Sequence, residues 1–173
     1  MKIINLFGAP GAGKSTGAAY IFAMLKMRGI NAELVTEYAK DKVWENNEEA
    51  FKNQAYIFAN QYFRISRLEN KVDVVVTDSP LLLSCFYNKP GVLGDSFYHM
   101  VDTVFKSYDS LNAYLKRTKP YNHIGRLQNE NESDTLSSKM EDFLAEYKVD
   151  YKIYTGDIEG YNALLEDILS FLN

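Results

Sequence analysis

Leu6-Phe7-Gly8-Ala9-Pro10-Gly11-Ala12-Gly13-Lys14-Ser15-Thr16 holds three glycines, one proline and a single lysine. Gly8 to Ser15 fits G-x-x-x-x-G-K-[ST] at every fixed position. Glycines at that spacing let successive backbone N–H groups turn inward into an anion-binding nest. A helix opening directly after them adds partial positive charge. Such a loop, Gly8 through Thr16, is built to hold the β-phosphate region of a nucleoside triphosphate. Lys14 can bridge the β- and γ-phosphates, and the Ser15 hydroxyl can meet Mg2+. The motif carries this meaning only where a strand precedes it and a helix follows.

Two carboxylates stand where strands should end. Asp78 closes Val72-Asp73-Val74-Val75-Val76-Thr77-Asp78, an acid after an apolar run, which is the place of a magnesium-associated acid; the alternative is a turn acid. Glu37 closes Ala32-Glu33-Leu34-Val35-Thr36-Glu37 and can accept a proton from a substrate hydroxyl; a surface acid is the alternative there, and Asp41 lies in the same stretch. Lys116, Arg117, Lys119 and Arg126 follow a later strand with no acid between them and are interrupted by Pro120 and Gly125. This reads as a basic lid over about residues 117–131, whose Arg117 or Arg126 would meet developing phosphoryl charge; a solvated loop is the alternative.

These groups need a frame, and the chain supplies alternating periods. Lys2–Phe7 is a short apolar run, predicted as a buried strand. Lys14–Arg28 has helical spacing at Ala18, Ile21, Phe22 and Leu25, stopped by Gly29. Strands are expected over 32–37, 72–78, 111–117 and 150–156. Helices are expected over 48–70 with Phe51, Ala55, Phe58, Tyr62 and Ile65 inward, over 81–87, 97–108 and 134–147, and over 158–172. Strands alternating with helices specify an α/β layered fold with a parallel sheet. No linker, repeat or low-complexity tract divides the 173 residues, so a single domain over 1–173 is expected.

Composition narrows the partners. A net charge of −4 argues against a broad nucleic-acid surface. Two histidines far apart and one cysteine exclude a His/Cys metal site and an internal disulfide. Cys85, inside Leu81-Leu82-Leu83-Ser84-Cys85-Phe86-Tyr87, reads as a buried thiol. No apolar run approaches the roughly 20 residues that span a bilayer, and a cytoplasmic setting is expected. The helix over 48–70 offers Gln54, Asn60, Gln61, Tyr62 and Arg64; Gln54 or Gln61 can pair with a base or carboxamide edge, and Tyr62 can stack on a ring.

With the glycine loop, Glu37-Tyr38-Ala39-Lys40-Asp41, Asn53-Gln54-Ala55-Tyr56-Ile57-Phe58-Ala59-Asn60-Gln61-Tyr62-Phe63-Arg64 and the basic segment in place, the chain resembles small P-loop kinases of nucleosides and nucleotides. In particular it is similar to the ribosylnicotinamide kinase domain of NadR-type proteins, and also to phage P-loop kinases, so a phage-encoded protein acting in host cytoplasm is one expectation. The resemblance covers nearly the whole chain. It implies a P-loop kinase-like three-layer fold with a five-stranded parallel sheet in the order 2-3-1-4-5, ATP and Mg2+ as cofactors, and a small nucleoside or nucleotide acceptor, phosphorylated on a hydroxyl or a phosphate, bound between the end of strand two and the long helix. It places Glu37 as the acid receiving the acceptor's proton and Asp78 beside the metal. The acid-Arg-Ser triplet of deoxynucleoside kinases is Thr77-Asp78-Ser79-Pro80 here, without the arginine. Two alternatives stand beside this reading: a kinase of a hydroxymethylated base in DNA, and a P-loop ATPase or nucleotide-binding switch.

Overall fold

The computed structural model describes residues 1–89, 91, 93–121 and 130–173. Five strands form one parallel sheet: β1 (Lys2–Phe7), β2 (Ala32–Val35), β3 (Val74–Thr77), β4 (Ser110–Lys116) and β5 (Lys152–Thr155), in the spatial order β2-β3-β1-β4-β5. The expected order is borne out. Eight helices join them among the described residues: α1 (Lys14–Met27), α2 (Tyr38–Trp44), α3 (Glu48–Phe51), α4 (Gln54–Ser66), α5 (Leu83–Tyr87), α6 (Gly94–Lys106), α7 (Glu130–Glu146) and α8 (Ile158–Leu172).

The period of two along the central strands divides the core into two layers. Ile4 and Leu6 of β1, with Val74 and Val76 of β3, pack against Ile21 and Leu25 of α1 and Leu164, Leu165 and Ile168 of α8. Ile3 and Phe7, with Val75, face the opposite way, onto Phe58 and Ile65 of α4, Val101 and Phe105 of α6, and Met140 and Leu144 of α7. Apolar residues on both faces mark a strand covered on both sides, and β1 and β3 occupy that central place. Cys85 is buried in the second layer, and desolvation pushes its thiol up to about 11, so it packs rather than reacts.

The helix expected over 48–70 is two helices. Asn53 stops and restarts the chain: its side chain accepts a hydrogen bond from the Tyr56 N–H at 3.0 Å, as a helix N-cap does, and Asn47 does the same for α3 through the Ala50 N–H. The restart centres the buried face on Gln54, Ile57, Phe58, Gln61 and Ile65, so two amides enter the interior, while Ala55 and Tyr62 pack partly buried against the core as their spacing predicts. β2 ends at Val35 and β3 at Thr77, earlier than expected, which leaves Glu37 as the residue capping α2 and Asp78 just beyond its strand. α7 begins at Glu130, ahead of the expected Asp134.

Asn53→Ala should therefore lower stability by about 1 kcal/mol, the usual worth of an N-cap. Urea unfolding measures it; an unchanged midpoint would mean that packing alone sets the start of α4.

Candidate active site

The glycine loop leaves β1 at Gly8, whose φ is 139° and whose missing Cβ would stand 2.6 Å from the Leu115 carbonyl oxygen of β4. No L side chain fits there. Below the loop, Gly156 at the end of β5 approaches so closely that a Cβ would lie 2.0 Å from the Ala12 oxygen. The Tyr161 hydroxyl of α8 lies between the carbonyls of Gly13 (2.9 Å) and Gly156 (3.1 Å). Ala9 and Ala12 are buried in this seat, while Ser15 and Thr16 at the start of α1 are exposed. Lys14 curls back, its Nζ donating to Gly8 O at 2.7 Å and Ala9 O at 3.2 Å.

The far side of the loop is covered from β4 and α7. Ser133, buried, donates through Oγ to the Pro10 carbonyl at 2.7 Å. Tyr121 lies over Gly11, and the Arg117 guanidinium sits 5.4 Å from its ring. Arg117 pairs with Glu130 at 3.2 Å and with Asp134. Arg117 is thus charge-paired in the structure. No acid lies within the basic segment, but α7 brings two to it. Lys116 likewise lies 3.8 Å from Glu141. Arg126, and residues 122–129 of the expected lid, lie outside the described residues.

Glu37 is held from three directions. Its N–H donates to Asp78 Oδ1 at 2.9 Å. Gln61 Oε1 accepts from the next N–H, that of Tyr38, at 2.8 Å, and Gln61 Nε2 donates to the preceding carbonyl, that of Thr36, at 3.3 Å. Arg64 also donates to Thr36 O and pairs with Asp41. The peptide groups around Glu37 are thus bonded by side chains of β3's end and α4, because β2 has already ended and the sheet no longer pairs them. Desolvation raises the Glu37 carboxyl above its ordinary range; Lys14 pulls it down, the Asp78 charge pushes it up, and Lys40 and Asp41 act more weakly in opposite senses.

A cavity of about 660 Å3 opens between the loop and these elements. Pro10, Gly11, Gly13, Lys14, Ser15 and Thr16 form one wall; Glu37, Lys40, Val43, Gln54, Ile57, Gln61 and Tyr87 are among the residues of the others. The cavity therefore lies between the end of β2 and α4, where the resemblance put the acceptor. Gln54 is buried at its edge, with Nε2 donating to Phe51 O at 3.3 Å. Gln61 lines it too, but its amide is engaged at both ends and does not present a free edge. Tyr62 does not line the cavity: its ring stacks on Phe58 at 5.8 Å against the core, the inward place its helical spacing gave it, and it does not serve as a stacking residue there. Asp78 is buried just behind the wall formed by Ser79 and Pro80. Sequence reasoning missed Tyr87, whose hydroxyl burial and the Glu37 charge push up, and the clasp of Ser133 on Pro10. The apolar run around Tyr87 masked its role, and nothing near Ser133 in sequence signals the loop.

Ser15 and the Asp78 carboxylate offer only hard oxygen donors, which suits magnesium bound partly through nucleotide phosphates. Among the described residues no group of three or more His, Cys, Asp or Glu side chains could hold a metal ion.

A family model described as an AAA domain (AAA_28) matches residues 3–160. No curated protein matches the chain. Among solved structures, deoxyadenosine kinase from M. mycoides with bound dATP superposes with a TM-score of 0.59 at 20% identity, over 98% of this chain and 100% of that one. The same enzyme with products dCMP and a flexible dCDP gives 0.56 at 20% identity, over 100% and 99%. At that identity the likeness establishes the fold, that of P-loop kinases; neither finding singles out a ribosylnicotinamide kinase.

Gln61→Leu keeps the bulk but strips the buried Tyr38 N–H of its acceptor. Chemical denaturation should register a loss of about 1–3 kcal/mol; a neutral result would show that Arg64 and Asp78 suffice to hold this turn.

Proposed function

Since the chain belongs to the AAA-domain family, we propose that it is an ATP-dependent kinase that moves the γ-phosphoryl group to a hydroxyl of a nucleoside- or nucleotide-like small molecule. One observation carries the reading: Glu37 and the glycine loop with Lys14 line the same cavity, close enough for the lysine charge to act on the carboxyl. Phosphoryl transfer needs a cradle for the donor and a proton acceptor for the incoming hydroxyl within one enclosure. The titles of the two similar structures name a deoxyadenosine kinase with nucleotides bound, which favours a nucleotide donor and an acceptor of the nucleoside or nucleotide class here.

In this reading the acceptor oxygen attacks the γ-phosphorus, its proton passes to Glu37, and the bond to the bridging oxygen breaks as ADP leaves. The raised affinity of Glu37 for a proton suits that task better than an ordinary surface carboxylate would. Lys14 exchanges its bonds to Gly8 and Ala9 for the β- and γ-oxygens. Magnesium, held by Ser15 and Asp78, would neutralise phosphate charge. Arg117 reaches the phosphates once they displace Glu130 and Asp134, and Arg126 is the second arginine proposed to meet their charge. Gln54, buried at the cavity edge, orients the acceptor, while Gln61 holds the turn that carries the base. No described helix is long and apolar enough to cross a membrane, and we place the protein in the cytoplasm.

Incubation with γ-labelled ATP and a panel of nucleosides, nucleotides and nicotinamide riboside tests the proposal: label should move to a small molecule. ATP hydrolysis with no labelled acceptor, or label in DNA alone, would contradict it. Lys14→Ala should reduce transfer by about 10²–10³-fold, as loss of one preorganised electrostatic contact does; a rate within about threefold of wild type would exclude the lysine from the reaction.

Glu37→Gln should abolish most transfer while ATP still binds. Its stability should move the other way. A carboxyl with a raised folded-state pKa is a liability above that pKa and neutral below the unfolded-state value. Glu37→Gln should therefore melt at or above the wild-type temperature at neutral pH, and the difference should vanish as pH falls through the carboxylate range. Normal transfer by Glu37→Gln would end its assignment as base.

A further inference from the structure

The cavity is electrically lopsided. Four lysines line it, Lys14, Lys40, Lys52 and Lys89, against a single acid, Glu37. This occurs in a protein whose net charge is −4. Lys14 belongs to the glycine loop and to the donor's phosphates. The other three come from separate elements: Lys40 from α2, Lys52 from the break between α3 and α4, Lys89 from beyond α5. Chance would scatter them; the fold converges them on one enclosure.

None of the three is bound tightly elsewhere. Lys40 and Lys89 make no salt bridge among the described residues. Lys52 pairs with Glu49, but their side chains are 70% and 80% exposed, and a pair so wet contributes little and yields readily to a better anion. Like charges in one concave site focus a positive potential into it, which concentrates anions and repels cations. A neutral nucleoside would bring no charge of its own to meet these cations. A cationic acceptor such as nicotinamide riboside would meet them unfavourably.

We propose that Lys40, Lys52 and Lys89 form a subsite for a phosphate group carried by the acceptor, so that the substrate is a nucleotide offering its hydroxyl to Glu37 rather than a nucleoside. The proposal rests on the kinase reading above and specifies its substrate class. Reaction of such a nucleotide forms one new P–O bond at its hydroxyl, breaks the bond between the γ-phosphorus and the bridging oxygen, and releases ADP; the hydroxyl proton goes to Glu37. The product carries two separate phosphoryl groups and no new anhydride.

Two measurements separate the claims. The first is equilibrium binding of matched pairs, a nucleoside and its 5′-monophosphate, to the full chain with a non-hydrolysable ATP analogue and Mg2+ present. The monophosphate should bind at least about tenfold more tightly, a preference that added salt shrinks. Lys40→Gln combined with Lys89→Gln should remove most of that preference, the shift being confined to the monophosphate. Equal binding of each pair, or a preference untouched by the double substitution, overturns the subsite. The second is transfer of label from γ-labelled ATP to the same pairs. Label on the hydroxyl of the monophosphate supports both claims. Label on the nucleoside, with the monophosphate inert, overturns the subsite and leaves the kinase reading intact. Lysine-dependent binding of the monophosphate with no transfer to any acceptor supports the subsite and overturns the kinase reading.

Discussion

The ends of β4 and β5 come within contact of the glycine loop's backbone, and every later feature of the site depends on that seat. Leu115 O occupies the space of a Cβ on Gly8, and Ala12 O that of a Cβ on Gly156. Two missing side chains let the loop lie directly on the sheet's carboxyl edge. Tyr161 then ties the start of α1 to the end of β5 through Gly13 and Gly156. The direction of α1, and with it the place of Lys14, follows from this contact rather than from the loop's own preferences. An open α/β sheet presents its ligand crevice at the carboxyl ends of its strands, and the neighbouring strands β2 and β3 deliver Glu37 and Asp78 to the same edge.

Burial, Asp78 and Lys14 together set the charge of Glu37. Burial makes ionised Glu37 costly, Asp78 adds to the cost, and Lys14 offsets part of it. A nucleotide that draws Lys14 toward its phosphates would weaken that offset and strengthen Glu37's hold on a proton. Donor binding and readiness of the proposed base would in this way be coupled. At Arg117 the charge is met by Glu130 and Asp134 of α7.

The architecture was legible because its signals are local. Alternating periods, the glycine loop between a strand and a helix, and Val74–Thr77 as a central strand require no tertiary information. The break at Asn53 was not, since an asparagine inside an amphipathic run reads as a solvent-facing residue until its side chain is seen to cap Tyr56. Nor was the place of Gln61 legible: it was read as able to hold a ligand, when its partners are the backbone of Thr36 and Tyr38. The acids around Arg117 escaped for a related reason: Glu130 and Asp134 follow it in sequence by a helix start that only the fold brings back. Glu37 and Lys14 were legible as types at strand and helix ends, and the resemblance already put the acceptor's pocket beside Glu37.

The pH dependence of transfer most directly tests the claim that Glu37 works as a base under the opposing influences of burial, Lys14 and Asp78. The rate at limiting acceptor, with ATP and magnesium saturating, should fall on the acid side with an apparent pKa above the ordinary carboxylate range. Asp78→Asn, which removes a charge that raises it, should shift that limb to lower pH. An acid limb in the ordinary range that Asp78→Asn leaves in place would contradict the account.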